Sequence, residues 1–160
     1  MKPVRRRCTI RARLPLTGFG LLAILVGCVW YTAAPPLTAQ GYRHEARQTL
    51  SSFSSQLATA QLWGRELQAG RSPLRTTRTG LAELETDAGG TLNRFAAYEP
   101  VGGQTELRSQ VVTLGDQVEE RLAQLRIAAR AGRTGDVVQE AAGLDELRTR
   151  TDTALGALNS

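Results

Sequence analysis

From residue 41 onward, apolar side chains recur three and four residues apart, with polar ones between them. That is the period of a helix that buries one face. The first stripe runs Ala46, Leu50, Phe53, Leu57, Ala60, Gly64 and Leu67, and the second Leu74, Thr77, Leu81, Leu84, Ala88, Thr91, Phe95 and Tyr98. The third runs Leu107, Val111, Leu114 and Val118, then slips to Leu122, Leu125 and Ala129. The fourth is looser: Val137, Ala141, Leu144, Leu147, Thr151, Leu155 and Leu158. Turn signals separate them at Gly70 to Pro73, Glu99 to Gly103 and Gly132 to Asp136. No stretch alternates with period two, so strands are not expected. The pattern predicts an all-α fold, an antiparallel up-down four-helix bundle over 44–160. Its helices fall at about 44–69, 73–98, 104–131 and 136–158. Gly70 and Gly132 read as left-handed stops, Ser72 as an N-cap before Pro73, and Asp136 with Gln139 as a capping box.

The pattern before residue 41 is different. Residues 15–34 carry no charge, and Lys2, Arg5, Arg6, Arg7, Arg11 and Arg13 precede them without an acid. Twenty helical residues span about 30 Å, the thickness of a bilayer's hydrocarbon core. Pro35 and Pro36 stop the run, and Trp30 and Tyr31 fall where an interfacial aromatic belt would sit. This predicts a basic cytoplasmic tail over 1–13, one N-terminal membrane helix or signal segment over 14–36, and a linker over 37–43. The positive-inside rule then puts the C-terminal domain outside the cytoplasm, at the cell membrane. Three fates compete for the segment. It is an uncleaved anchor, a lipoprotein signal lipidated at Cys28 after the lipobox-like Leu25-Val26-Gly27, or a cleaved secretory signal. The anchor fits best: the apolar run continues past Cys28, and no cleavage position suits a secretory signal.

Charge sharpens this picture. The chain holds 20 basic and 15 acidic residues, but outside the tail the balance is 14 to 15. The exported part is close to neutral and shows no nucleic-acid footprint in its composition. Both cysteines, Cys8 and Cys28, precede the domain, so neither a disulfide nor a thiolate metal site is expected within it. His44 is the only histidine, which excludes a di-iron bundle site needing two Glu-x-x-His pairs. No nucleophile elbow or phosphate-binding loop occurs. The acid pairs Glu119-Glu120 and Asp145-Glu146 could serve acid–base chemistry only in a concave, desolvated pocket. No cofactor, metal or catalytic residue is expected.

Exposed apolar positions carry more information. Leu62 falls opposite the first seam, and Val112 and Ile127 fall off the third, so these three are the candidate partner surface. Trp63 is placed to fill the gap beside Gly64. Antiparallel register sets Phe53 opposite Gly89-Gly90, within a continuous second helix. It also sets Arg121 against Glu146 and Glu119 against Arg148.

The expectation is a non-enzymatic, membrane-tethered interaction or scaffold module of a bacterial envelope, with a protein partner or self-association. The competing expectation is a small-molecule-binding domain. The architecture is similar to the extracytoplasmic four-helix sensor domains of bacterial chemoreceptors and sensor kinases, a resemblance at the level of fold that implies ligand binding between helices. Those domains sit between two membrane helices and feed an intracellular output domain. Here one membrane helix and about a dozen cytoplasmic residues are expected, so output would need a partner.

Overall fold

The first stripe forms α1, Ala39–Gln68. It begins five residues before the sequence pattern placed it. Thr38 accepts a hydrogen bond from the Gly41 amide (3.1 Å) and caps the helix. Tyr42, fully buried, extends the stripe one turn ahead of Ala46. Most of the predicted linker is therefore helix. The computed structural model describes residues 38–159, and in that span the chain is all-helical with no strand. The predicted membrane segment and Cys28 lie outside the described residues. No helix among the described residues is long and apolar enough to cross a membrane.

After α1 come α2, Leu74–Ala96, and α3, Thr105–Arg130. The fourth predicted helix is two: α4, Thr134–Ala142, and α5, Leu144–Ala157, divided at Gly143. Glycine is the weakest helix former after proline. Gly143 keeps helical angles (φ −69°, ψ −7°), so the chain is interrupted there without turning away. Gly70 and Gly132 do end α1 and α3 with positive φ, +68° and +73°. The caps shift relative to the sequence reading. Pro73 itself is the N-cap of α2, and Ser72 bonds Thr77 side chain to side chain (3.2 Å). Arg133 precedes α4 and pairs with Asp136 at 2.9 Å, so no capping box forms.

α1 runs against the C-terminal segment and α2 against α3, and side-chain bridges fix their levels. Between α1 and the C-terminal segment, Arg47 reaches the Leu158 carbonyl (2.7 Å), Ser54 bonds Asp152 (2.5 Å) and Gln61 bonds Asp145 (2.6 Å). Between α2 and α3, Arg126 pairs with Glu85, and Arg108 donates to the Ala96 carbonyl (2.7 Å). Between α1 and α2, the Trp63 ring lies over Gly80. The core runs along the axis. Tyr42 stacks at a tilt on Phe95 at one end (5.4 Å between centroids), Phe53 and Leu57 sit in the middle, and Leu81 and Leu125 lie towards the other end.

Three packing expectations change. α2 is continuous through Gly89 and Gly90, but the room for Phe53 comes from Gly115 of α3. A Cβ there would stand 3.0 Å from the Phe53 ring and 2.6 Å from Leu92 Cδ1. The gap at Gly64 is filled by Ala141 of α4, not by Trp63. Neither predicted α3–α5 ion pair forms. Arg121 pairs with Glu140 at 3.5 Å, and Arg148 sits near Asp152 (3.8 Å) and bonds Gln61 (3.3 Å). The register is displaced: Arg121 stands nearest Glu140, while Glu146 lines the same α3–α5 groove. Both α4 and α5 border α3.

Candidate functional site

Surface positions are settled first by where each helix turns its buried face. α1 buries Ala60, Gly64 and Leu67, and Leu62 lies on the opposite side, half exposed at 50%. Ile127 lies beside the buried Leu125, Ala128 and Ala129 and is 52% exposed. These two are the exposed large hydrophobics among the described residues. Val112 is different. It is partly buried and packs against the core beside the buried Val111. The structure therefore keeps Leu62 and Ile127 on the surface and removes Val112 from it.

Leu62 and Ile127 share one end of the domain, opposite the end where the chain arrives at Thr38. Leu62 is six residues before the end of α1 and Ile127 three before the end of α3. They do not form one patch. Leu62 projects from α1 away from the core, whereas Ile127 lines a groove between α3 and α4 with Arg133, Asp136 and Glu140.

A cleft of about 710 Å³ lies between α2 and α3. Gly89 and Gly90 open its α2 wall, and Glu85, Asp116, Glu119 and Arg126 line it. The Glu119 carboxylate rests where a Gly89 side chain would stand, 2.5 Å from that Cβ position. Burial raises its pKa above the ordinary carboxylate value, and the nearby charges of Asp116 and Glu85 push the same way. Glu85 is engaged by Arg126. The cleft thus holds one of the acid pairs singled out by sequence, Glu119-Glu120. It offers no histidine, cysteine or serine, and the Thr86 hydroxyl is taken up by the Ala82 carbonyl (2.9 Å). The other pair is divided: Asp145 bonds Gln61, and Glu146 lines a groove between α3 and α5.

A smaller groove, about 350 Å³, lies between α1 and the start of the C-terminal segment, lined by Gly64, Arg65, Val138 and Ala142. His44 is exposed and meets Gln48 at 2.9 Å. Among the described residues no group of three or more histidine, cysteine or acidic side chains is placed to hold a metal ion. At the chain-arrival end, burial raises the pKa of the Tyr42 phenol, and Arg108 partly offsets this. Comparison with known families, curated proteins and solved structures finds no match.

Proposed function

We propose that this chain is a non-enzymatic, membrane-tethered interaction module of a bacterial envelope. In this reading residues 14–36 anchor it, the N-terminus is cytoplasmic and the helical domain faces outward. The domain is an antiparallel four-helix bundle in which α4 and α5 together fill the fourth position. One observation carries the interaction reading: Leu62 and Ile127, the exposed large hydrophobics among the described residues, both lie toward the end remote from Thr38. Isolated exposed aliphatics are ordinary, and what supports the reading is that both stand at the same end of the domain, where one partner could reach each of them.

The test is recovery of partners by crosslinking and co-purification from native membranes. Replacement of Leu62 and Ile127 by aspartate is expected to abolish recovery while helicity and melting temperature hold. Unchanged recovery would reject the reading.

The α2–α3 cleft favours a second reading, a sensor-like domain that binds a small molecule. Its volume lies in the range of ligand sites, about 300–1,000 Å³. Native mass spectrometry of the purified chain would show a retained small molecule under this reading, and bare protein under the first.

A further inference from the structure

The groove between α1 and the start of the C-terminal segment is built around one carboxylate. Gln61 of α1 is buried, and its amide donates to Asp145 Oδ1 (2.6 Å). Arg148 donates in turn to Gln61 Oε1 (3.3 Å). This chain of bonds holds Asp145 in one orientation at the groove wall, in the first turn of α5. It leaves Asp145 Oδ2 without a partner among the described residues. A carboxylate fixed from behind by a buried amide loses little freedom when a ligand meets it.

A guanidinium lines the same groove. The register of α1 against the C-terminal segment is set by Gln61–Asp145, by Gly64 against Ala141 and by Ser54–Asp152. It places Arg65 level with Ala141, four residues before Asp145 and so about 6 Å from it along the axis at the helical rise. Arg65 and Asp145 both line the groove and do not pair. Arg65 forms no ion pair or side-chain hydrogen bond among the described residues. The floor between the charges is apolar: Ala141 sits on Gly64, and Val138 and Ala142 flank it. The volume, about 350 Å³, lies at the lower end of the range of ligand sites. Opposite charges one turn apart over a short apolar floor suit a single small molecule that carries both.

We propose that this groove binds a small zwitterion, an α-amino acid with a short aliphatic side chain. Its ammonium group donates to Asp145 Oδ2, its carboxylate accepts from the forked Arg65 guanidinium, and its side chain lies on Val138 and Ala142. An amine or a carboxylic acid alone satisfies only one of the two charges. The groove is distinct from the α2–α3 cleft, so the inference goes beyond the sensor-like reading and does not rest on it.

Isothermal titration calorimetry of the full chain in detergent, with L-alanine and L-valine as probes, tests this. Saturable binding is expected. Isobutylamine and isovalerate, which each lack one of valine's two charges, should bind at least about tenfold more weakly, the loss of one charge-assisted hydrogen bond. Arg65→Gln and Asp145→Asn should each weaken valine to a similar degree. Asparagine keeps an acceptor for Gln61, and both positions are exposed, so helicity and melting temperature should hold. Gly135 also lines the groove, with nothing within 4 Å of the position its Cβ would take, so Gly135→Leu should block binding with both charges in place. Absence of saturable binding by both amino acids would overturn the proposal, as would equal binding of either single-charge analogue or of phosphoethanolamine, a zwitterionic lipid headgroup. Binding that survives all three substitutions would overturn this groove and return the ligand to the α2–α3 cleft.

Discussion

Gly115 and Gly90 are both helix-interior glycines, and the structure gives them opposite roles. A methyl group at Gly115 would collide with Leu92 and the Phe53 ring, whereas nothing stands within 4 Å of the corresponding position at Gly90. Gly115→Ala should therefore destabilise the domain by about 1–3 kcal/mol, the cost of overpacking. Gly90→Ala should stabilise it by up to about 1 kcal/mol through helix propensity. Denaturant titration of the two variants checks the pair. Sequence periodicity placed Phe53 at the right level but on the wrong neighbour, because it reports which face of a helix is buried and not which of two adjacent helices receives a ring. Glu119 gives a pH test. Its pKa is raised in the folded state, so folding favours the protonated form. Its unfavourable contribution is absent in acid, grows as pH rises through the ordinary carboxylate value, and is fully present above the raised folded value. Glu119→Gln should raise the melting temperature at neutral pH and change it little in acid, as thermal melts across that range would show. Glu66 works the other way. Arg71 holds its carboxyl below the usual range, so that support is lost as pH falls through the lowered value.

At the scale of helices, the hydrophobic stripes made α1, α2 and α3 legible, apart from ends displaced by caps that are local and weakly encoded. The division of the fourth helix was less visible. Gly143 offered a signal, but the apolar phase continues across it through Ala141, Leu144 and Leu147, and a stripe without a gap reads as one helix. Packing explains what the division achieves. Gly64 lets Ala141 come against α1, and the C-terminal half is then held by Ser54–Asp152 and Gln61–Asp145. α5 buries only Leu144, Leu147, Thr151 and Ala154, whereas α3 buries a row of valines and leucines. Segments with few buried apolar contacts open first. Amide hydrogen exchange should therefore find α5 at least about tenfold less protected than the centre of α3. Equal protection would show that α5 opens only with the whole domain. Gly64→Ala would force the two helices apart and should lower α4 and α5 protection before that of α2 and α3.

For the whole molecule, the sequence spoke most clearly about placement and least about partners. The uncharged run from Pro15 to Ala34 and the basic tail before it predict the tether, and intact mass of the purified protein tests it. Retention of residues 1–27 fits the anchor, while their loss together with added acyl chains on Cys28 would replace it with a lipoprotein. The surface chemistry was hidden because composition sums charges that the fold separates. Leu62 and Ile127 come to one end of the domain only once the helices are folded against one another. The proposed interaction module works by contact of this end with another protein. Quantitative mass spectrometry of crosslinked material from native membranes, comparing the parent with the Leu62→Asp, Ile127→Asp variant, tests it most directly. The expected result is a specific protein enriched with the parent and lost from an equally abundant, equally helical variant. The same proteins recovered with both, or none with either, would contradict it.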